Sequence, residues 1–199
     1  MSIFLLDMGC GNISCIENAI YEIGHSVNVI KLSEVKSIPN SSTMIIPGVG
    51  NFEFAAKHLN YQNYFSDIKN FLERDGRIIG ICLGMQLLFE SSDEGDSERG
   101  LCLLKGHLRG FKRNNNLKTN VGYRYVEDVG FLYFIHSYYL PVEFIDENKF
   151  VKVKTMQYQG KDFVAYFETD KIIGCQFHPE KSLDTGLNFL KKICDKFVE

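Results

Sequence analysis

Short apolar runs alternate, along the first half of the chain, with segments whose apolar positions recur every three or four residues. Residues 3–6 are a short apolar run, and residues 27–30, 43–46 and 77–81, each mostly apolar, read as three further strands. Between the first two, Ile13, Ile16, Ile20 and Ile23 fall on one face of a helix, and Gly24 follows as a stop. Residues 65–74 carry helical spacing, and residues 83–90 have helical composition immediately after the fourth run. Strand–helix alternation of this kind predicts βαβ units and a parallel sheet.

The second half reads differently. Residues 101–104, 108–111, 124–126, 131–135, 150–156, 163–167 and 172–177 are short strand candidates with Gly and Asn between them. Their spacing suits hairpins, so an antiparallel portion is expected beside the parallel core. Asn114, Asn115 and Asn116 mark a turn. Leu183, Leu187, Leu190, Ile193, Cys194 and Phe197 are spaced for one closing amphipathic helix. The reading is an α/β chain with a mainly parallel sheet flanked by helices. Without repeats, low-complexity stretches or linkers, its 199 residues are expected to form one domain, residues 1–199.

Composition narrows the function classes. Hydrophobic residues are 45% and charged residues 24%, which suits a globular protein and excludes wholesale disorder. A net charge of -3 and a pI near 6.0 advertise no nucleic-acid or anionic-membrane surface. The first residues lack a basic region, and their apolar run is four residues long, so no signal peptide is expected. No stretch reaches the roughly 18–20 apolar residues of a membrane span. The six cysteines, Cys10, Cys15, Cys82, Cys102, Cys175 and Cys194, include no CxxC pair. Neither a zinc site nor a disulfide framework is expected, and a reducing cytoplasm is the natural setting.

One cysteine stands apart. In Gly80-Ile81-Cys82-Leu83-Gly84-Met85-Gln86 a strand ends, a Cys occupies the turn and a helix begins, with glycines two residues to either side. This is the logic of a nucleophile elbow, in which small neighbours permit a sharp turn that presents the side chain to a cleft. A helix start beneath the sulfur favours the reactive thiolate, and the Leu83 N–H points toward a developing oxyanion. The plainer reading is a buried cysteine at a strand–helix join. A nucleophilic Cys needs a base, and the base needs an orienting group. His178 follows an apolar run in Gln176-Phe177-His178-Pro179-Glu180, with Glu180 two residues on. Extended backbone would put His178 and Glu180 on one face, where the carboxylate could hold the imidazole tautomer. The plainer reading there is a loop His with a neighbouring Glu.

Taken together, these two segments resemble the class I, or triad, glutamine amidotransferases. That resemblance implies a Cys-His-Glu triad of Cys82, His178 and Glu180, which hydrolyses the side-chain amide of L-glutamine through a thioester. Three further segments resemble one branch of that family, the HisH-type glutaminase subunits of imidazole glycerol phosphate synthase. They are Asp7-Met8-Gly9-Cys10-Gly11-Asn12, Pro47-Gly48-Val49-Gly50-Asn51-Phe52 and Tyr133-Phe134-Ile135-His136-Ser137-Tyr138-Tyr139. Alone, these could be a Gly-rich turn, a strand-ending turn and an aromatic core strand. In family order they imply oxyanion donors around Gly48, Val49 and Leu83. They also imply a glutamine pocket lined by Gly50, Gln86, Glu94, Ser137 and Tyr138. An anionic Glu94 would suit the substrate's α-ammonium group, although residues 91–98 could equally be an acidic surface loop.

The resemblance implies no metal and no cofactor, but it does imply a partner. Ammonia is mostly protonated in neutral water, so it must pass uncharged to a second active site. The chain has no phosphate-binding loop and no room for a barrel of about 250 residues. The expected partner is a HisF-type (β/α)8 cyclase subunit, and the expected products are imidazole glycerol phosphate and aminoimidazole carboxamide ribotide in histidine synthesis. Family glutaminases of this kind are weak alone. A peptide flip in the glycine-containing segment 47–50 would be a plausible switch. One stretch departs from the branch, which usually reads K-V-P-H-M-G-W-N where this chain has Lys118-Thr119-Asn120-Val121-Gly122-Tyr123-Arg124. The Pro-His pair and the Trp are missing at what the family uses as its cyclase interface. A paralogue feeding ammonia to a related barrel for surface-sugar amidination therefore stays open, as does a catalytically silent scaffold subunit.

Overall fold

A computed structural model describes residues 2–9, 11–61, 64–95, 98–113, 116–146 and 148–198. Cys10, Asp96, Ser97, and Asn114 and Asn115 of the expected turn lie outside the described residues. The chain begins β1 (Ile3–Asp7), α1 (Ile13–Glu22), β2 (Val27–Lys31), β3 (Thr43–Ile46), α2 (Phe52–Tyr61), α3 (Tyr64–Glu73), β4 (Arg77–Ile81) and α4 (Leu83–Leu87). Short strands follow: β5 (Ser91–Ser92), β6 (His107–Gly110), β7 (Lys112–Arg113) and β8 (Asn116–Leu117). A long hairpin of β9 (Asn120–Val126) and β10 (Gly130–His136) leads to β11 (Tyr138–Tyr139). The chain closes with β12 (Lys152–Tyr158), β13 (Lys161–Glu168), β14 (Ile172–Cys175) and α5 (Leu183–Val198).

Seven strands form one sheet in the order β12-β13-β14-β4-β3-β1-β2. Its five strands from β14 to β2 run parallel, and β12 and β13 add the antiparallel edge. The central strands β3, β4 and β14 are apolar on both faces because both faces are covered, whereas the edge strand β2 is largely exposed. Along β3 and β4, Ile45, Ile79 and Ile81 join one buried cluster with Ile16 and Ile20 of α1 and Phe189, Leu190, Ile193 and Phe197 of α5. Met44, Ile46 and Ile78 join the other, with Phe52, Leu59, Ile68 and Phe71 of α2 and α3. No helix among the described residues is long and apolar enough to cross a membrane.

The structure corrects three local expectations. Residues 101–104 are not a strand. Their N–H groups cap the segment after α4: Leu101 donates to the Leu87 carbonyl, Leu103 and Leu104 to Leu88, and Cys102 to Phe89. Those carbonyls would otherwise be buried without partners, and the same wrapping ends α4 at Leu87, short of residue 90. The helix α2 was not anticipated, although Phe52, Ala55, Ala56 and Leu59 are buried at helical spacing. Asn51 starts it, its side-chain Oδ1 accepting the Phe54 N–H at 2.9 Å. Finally, His178 and Glu180 do not lie on a strand, since residues 179–181 form a single 3-10 turn.

Candidate active site

The adjacent strands β3, β4 and β14 all end at the same edge of the sheet, where ligands bind in parallel α/β folds. β3 delivers Pro47–Gly50, β4 delivers Cys82, and β14 delivers Gln176 and His178. The segment after β1, on the far side of β3, brings Gly11 against Gly48 and Val49, and its φ of +111° is a conformation that favours glycine.

Cys82 sits at φ 52°, ψ −108°, between β4 and α4. A side chain in that left-handed region is strained, as at a nucleophile elbow. The flanking glycines are needed for close approach rather than flexibility. A Cβ on Gly84 would lie 1.8 Å from the Ile46 carbonyl oxygen, and one on Gly80 would lie 2.8 Å from the Met85 backbone. The Cys82 N–H donates to the Cys175 carbonyl at 2.8 Å, which anchors the turn to β14. With only five residues, α4 carries little of the dipole that a long helix would present to the sulfur.

His178 is almost wholly buried, and its backbone N–H donates to the Tyr133 carbonyl at 2.8 Å. Its Nδ1 meets Glu180 Oε1 at 2.7 Å, and both side chains are sheltered from water. The 3-10 turn thus achieves the contact that extended backbone was expected to provide. Burial alone would lower the pKa of His178. The charge and hydrogen-bonding capacity of Cys82, then those of Glu180, outweigh it and raise it to about 10. Nε2 itself has no well-aligned hydrogen bond among the described residues.

A cleft of about 360 Å³ opens above the sulfur, lined by Val49, Gly50, Cys82, Leu83, Gln86 and Glu94 on one side. Thr119, Ile135, His136, Ser137, Tyr138 and Lys181 line the other. All five pocket residues expected from the sequence face this one space. Glu94 is half-buried and accepts the Phe52 N–H at 2.7 Å. Burial pushes its carboxyl above the ordinary value, only partly offset by hydrogen bonds from Phe52 and Asn51. No lysine or arginine pairs with it among the described residues. Its loop is tied to β6 through His107, which bridges Ser91 Oγ and Asp93 Oδ1 at 2.8 Å each.

The oxyanion donors are not both free. The Leu83 N–H donates to the Gly48 carbonyl at 3.3 Å, so the N–H that the sequence reading expects to serve an oxyanion is engaged. Gly50 adopts φ +122°, a conformation that glycine tolerates.

Sequence reasoning did not assign Thr119, Ile135 or Lys181 to the pocket, although Ile135 lies within the quoted segment 133–139, Thr119 within 118–124, and Lys181 directly follows Glu180. His136 is buried and donates Nδ1–H to the Tyr138 carbonyl at 2.8 Å while accepting from Asn120. Burial first, opposed by the Tyr138 hydrogen bond, lowers its pKa to about 4, so it is a neutral wall rather than a second base. Gln176, quoted only as part of a motif, places its side chain beside the nucleophile sulfur.

Comparison with known proteins agrees with this geometry. Residues 4–196 match the family model described as glutamine amidotransferase class-I. The chain is 34% identical to "Imidazole glycerol phosphate synthase subunit HisH" of Caldanaerobacter subterraneus subsp. tengcongensis, over 94% of each chain. It is also 34% identical to "Imidazole glycerol phosphate synthase subunit HisH 2" of Vibrio vulnificus, over 98% of this chain and 94% of that one. A solved glutamine amidotransferase superposes with a TM-score of 0.71 at 16% identity, over 96% of this chain and 97% of the other. PurLQS from Thermotoga maritima gives 0.67 at 17% identity, over 98% of each. At those identities the likeness shows the fold. With strand ends, elbow and family match in agreement, the chain belongs to the class I glutamine amidotransferases, and within them to the HisH-type subunits.

Proposed function

We propose that this chain is the glutaminase subunit of an imidazole glycerol phosphate synthase, its 199 residues acting as one domain. The carrying observation is that Cys82 lines a cleft with the buried His178–Glu180 pair behind it, and that the same cleft holds Glu94, a carboxylate without a lysine or arginine partner among the described residues. Cys82 attacks the glutamine amide carbon as His178 holds the thiol proton. His178 returns that proton to the departing nitrogen, so ammonia leaves and a thioester remains. Water then attacks the thioester, releasing glutamate and restoring the thiol. Glu180 orients the imidazole and stabilises its charged form. Glu94 receives the substrate's α-ammonium group, while Gly50, Gln86, Ser137 and Tyr138 shape the remaining walls.

The engaged Leu83 N–H supports a glutaminase that is weak until switched. Turning the Gly48–Val49 peptide would remove the carbonyl and offer the Val49 N–H beside that of Leu83. One missing donor of this kind typically costs about 2.7–4 kcal/mol in the barrier. The switch is a HisF-type (β/α)8 cyclase subunit docking on the exposed face of the β9–β10 hairpin. That face presents Val121, Tyr123 and Tyr125 beside Phe131 and Ile135. Arg124, the added charge that kept the surface-sugar paralogue open, lies on the opposite face. Its guanidinium donates to the Val121 and Tyr123 carbonyls and rests over the Tyr158 ring. The docking face therefore keeps an aromatic platform without a new charge, which favours the histidine-pathway partner.

The test is glutamate release from glutamine, with and without a HisF-type barrel and its nucleotide ligand, using Cys82→Ala as the blank. Strong stimulation that disappears in the blank is expected. If the barrel gives no stimulation while a glutamine-like electrophile still labels Cys82, the acceptor pathway is a different one. Absence of selective labelling would mean a silent scaffold.

A further inference from the structure

Gln176 is completely buried at the end of β14, and the mechanism above gives it no task. The hydrogen-bond pattern fixes which way its amide points. The Tyr138 backbone carbonyl can only accept, and it receives a side-chain donor of Gln86 at 3.0 Å, which identifies that atom as Nε2. The same nitrogen donates to Gln176 Oε1 at 3.0 Å. Gln176 therefore turns its own Nε2 toward Cys82 Sγ, 3.7 Å away. Among the described residues the sulfur is the only acceptor for that nitrogen.

The donor is rigidly mounted. The Gln176 N–H binds the Ala165 carbonyl at 2.9 Å, and the preceding residue, Cys175, accepts the Cys82 N–H at 2.8 Å. Besides His178, the sulfur also meets the Ile135 carbonyl, 3.9 Å away, which can accept from a thiol but offers nothing to a thiolate. Loss of the thiol proton thus turns the Gln176 contact from incidental to stabilising, with the Gln176 side chain fully buried.

We propose that Gln176 is a catalytic residue whose side-chain amide donates a hydrogen bond to the Cys82 sulfur as negative charge develops there. Gln86 is the positioning residue that locks the amide in this orientation. His178 moves the proton and Gln176 holds the charge left behind. No bond is made or broken by Gln176 and no co-reactant is consumed. The inference rests on the reading of Cys82 as the nucleophile.

The test is the rate of Cys82 alkylation by iodoacetamide from pH 6 to pH 10 in the full chain and in Gln176→Met, with Cys82→Ala subtracting the other cysteines. Methionine keeps the length and removes the donor. Alkylation at pH 7 is expected to slow about tenfold, the scale of a hydrogen bond to a charged group, and to converge with the parent at pH 10. Partner-stimulated turnover should fall by a similar factor, with KM for glutamine changed less than twofold. Equal rates at pH 7, or an equal loss at both pH extremes, would overturn the proposal, the latter because it reports access rather than charge. Should Gln176→Met fail to give a cooperative thermal transition, the unmodified chain decides. The ¹⁵N–¹H resonances of the Gln176 side-chain amide must shift when Cys82 is alkylated, and unmoved resonances overturn the assignment. Failure of the parent chain to hydrolyse glutamine with its partner would sink the functional reading but leave this comparison standing. Full turnover by Gln176→Met would sink only the role of Gln176.

Discussion

The two faces of strand β10 have opposite characters within a few ångströms of each other. Leu132, Phe134 and His136 point inward and are buried, and the polar member is fully hydrogen-bonded through Asn120 and the Tyr138 carbonyl. Phe131 and Ile135 point outward, with Phe131 62% exposed and its cross-strand partner Tyr125 59% exposed. An exposed aromatic surface of this kind is the feature on which the proposed docking rests. The inner face needs exact partners because a buried polar group without one is costly. The outer face needs only shape and apolar area. One backbone serves both, and the carbonyl of outward-pointing Ile135 is itself the contact to the Cys82 sulfur. On the proposed function, occupation of this outer face would have a short mechanical route to Cys82.

The comparison breaks most sharply on the inner side. Glu180→Gln removes the charge that orients His178 without changing its size. Partner-stimulated glutaminase turnover is expected to fall about 10³–10⁴-fold, the scale seen when a triad carboxylate becomes an amide. Affinity for the barrel partner should change less than twofold, as measured by titration. A matching loss of affinity would mean that the two faces are not separable.

On the outer side, Tyr125→Ala combined with Phe131→Ala removes two exposed rings that stack edge to face with centroids 5.4 Å apart. Partner affinity should weaken about 10- to 100-fold, the range of interface anchors. Alkylation of Cys82 in the isolated chain should stay within twofold of the parent. Undiminished affinity would place the docking surface elsewhere.

The smallest effect is a pH dependence. His178 is raised from 6.5 to about 10, so the folded state binds its proton more tightly than the unfolded chain does. Its stabilisation is complete below about pH 6.5 and is lost as pH climbs toward 10. The melting temperature should therefore decline across that window. It should decline less in Cys82→Ala, which lacks the strongest of the influences that raise His178. Parallel curves for the two chains would show that Cys82 does not set the charge of His178.

Much of this architecture was legible in the residues. The parallel strands were readable because a strand buried on both faces must be a continuous apolar run, as at Met44, Ile45 and Ile46. The elbow was readable because Gly80 and Gly84 leave no choice of side chain where the backbone passes so close. The unread parts depended on neighbours distant in the chain. Leu101 to Leu104 have strand composition, but their N–H groups are claimed by carbonyls after α4. Helix α2 was written in the spacing of Phe52, Ala55, Ala56 and Leu59 and was hidden by the glycine-containing turn before it. Nothing in the spelling of Thr119 or Lys181 places either beside Cys82.

The sequence by itself determined the chemistry on offer: a cysteine at a strand–helix turn, a histidine with a carboxylate two residues away, and the family whose order these motifs follow. Those are local properties, set by side-chain type and by backbone sterics over a few residues. Only the tertiary structure decided how they meet. Parallel pairing of β3, β4 and β14 brings three chain segments to one sheet edge, and a 3-10 turn rather than a strand closes His178 onto Glu180. The Gly48 carbonyl is set against the Leu83 N–H, and Gln176 is aimed at the sulfur. Hydrogen bonds between distant residues are directional and need both partners in place, so their geometry exists only once the sheet has assembled.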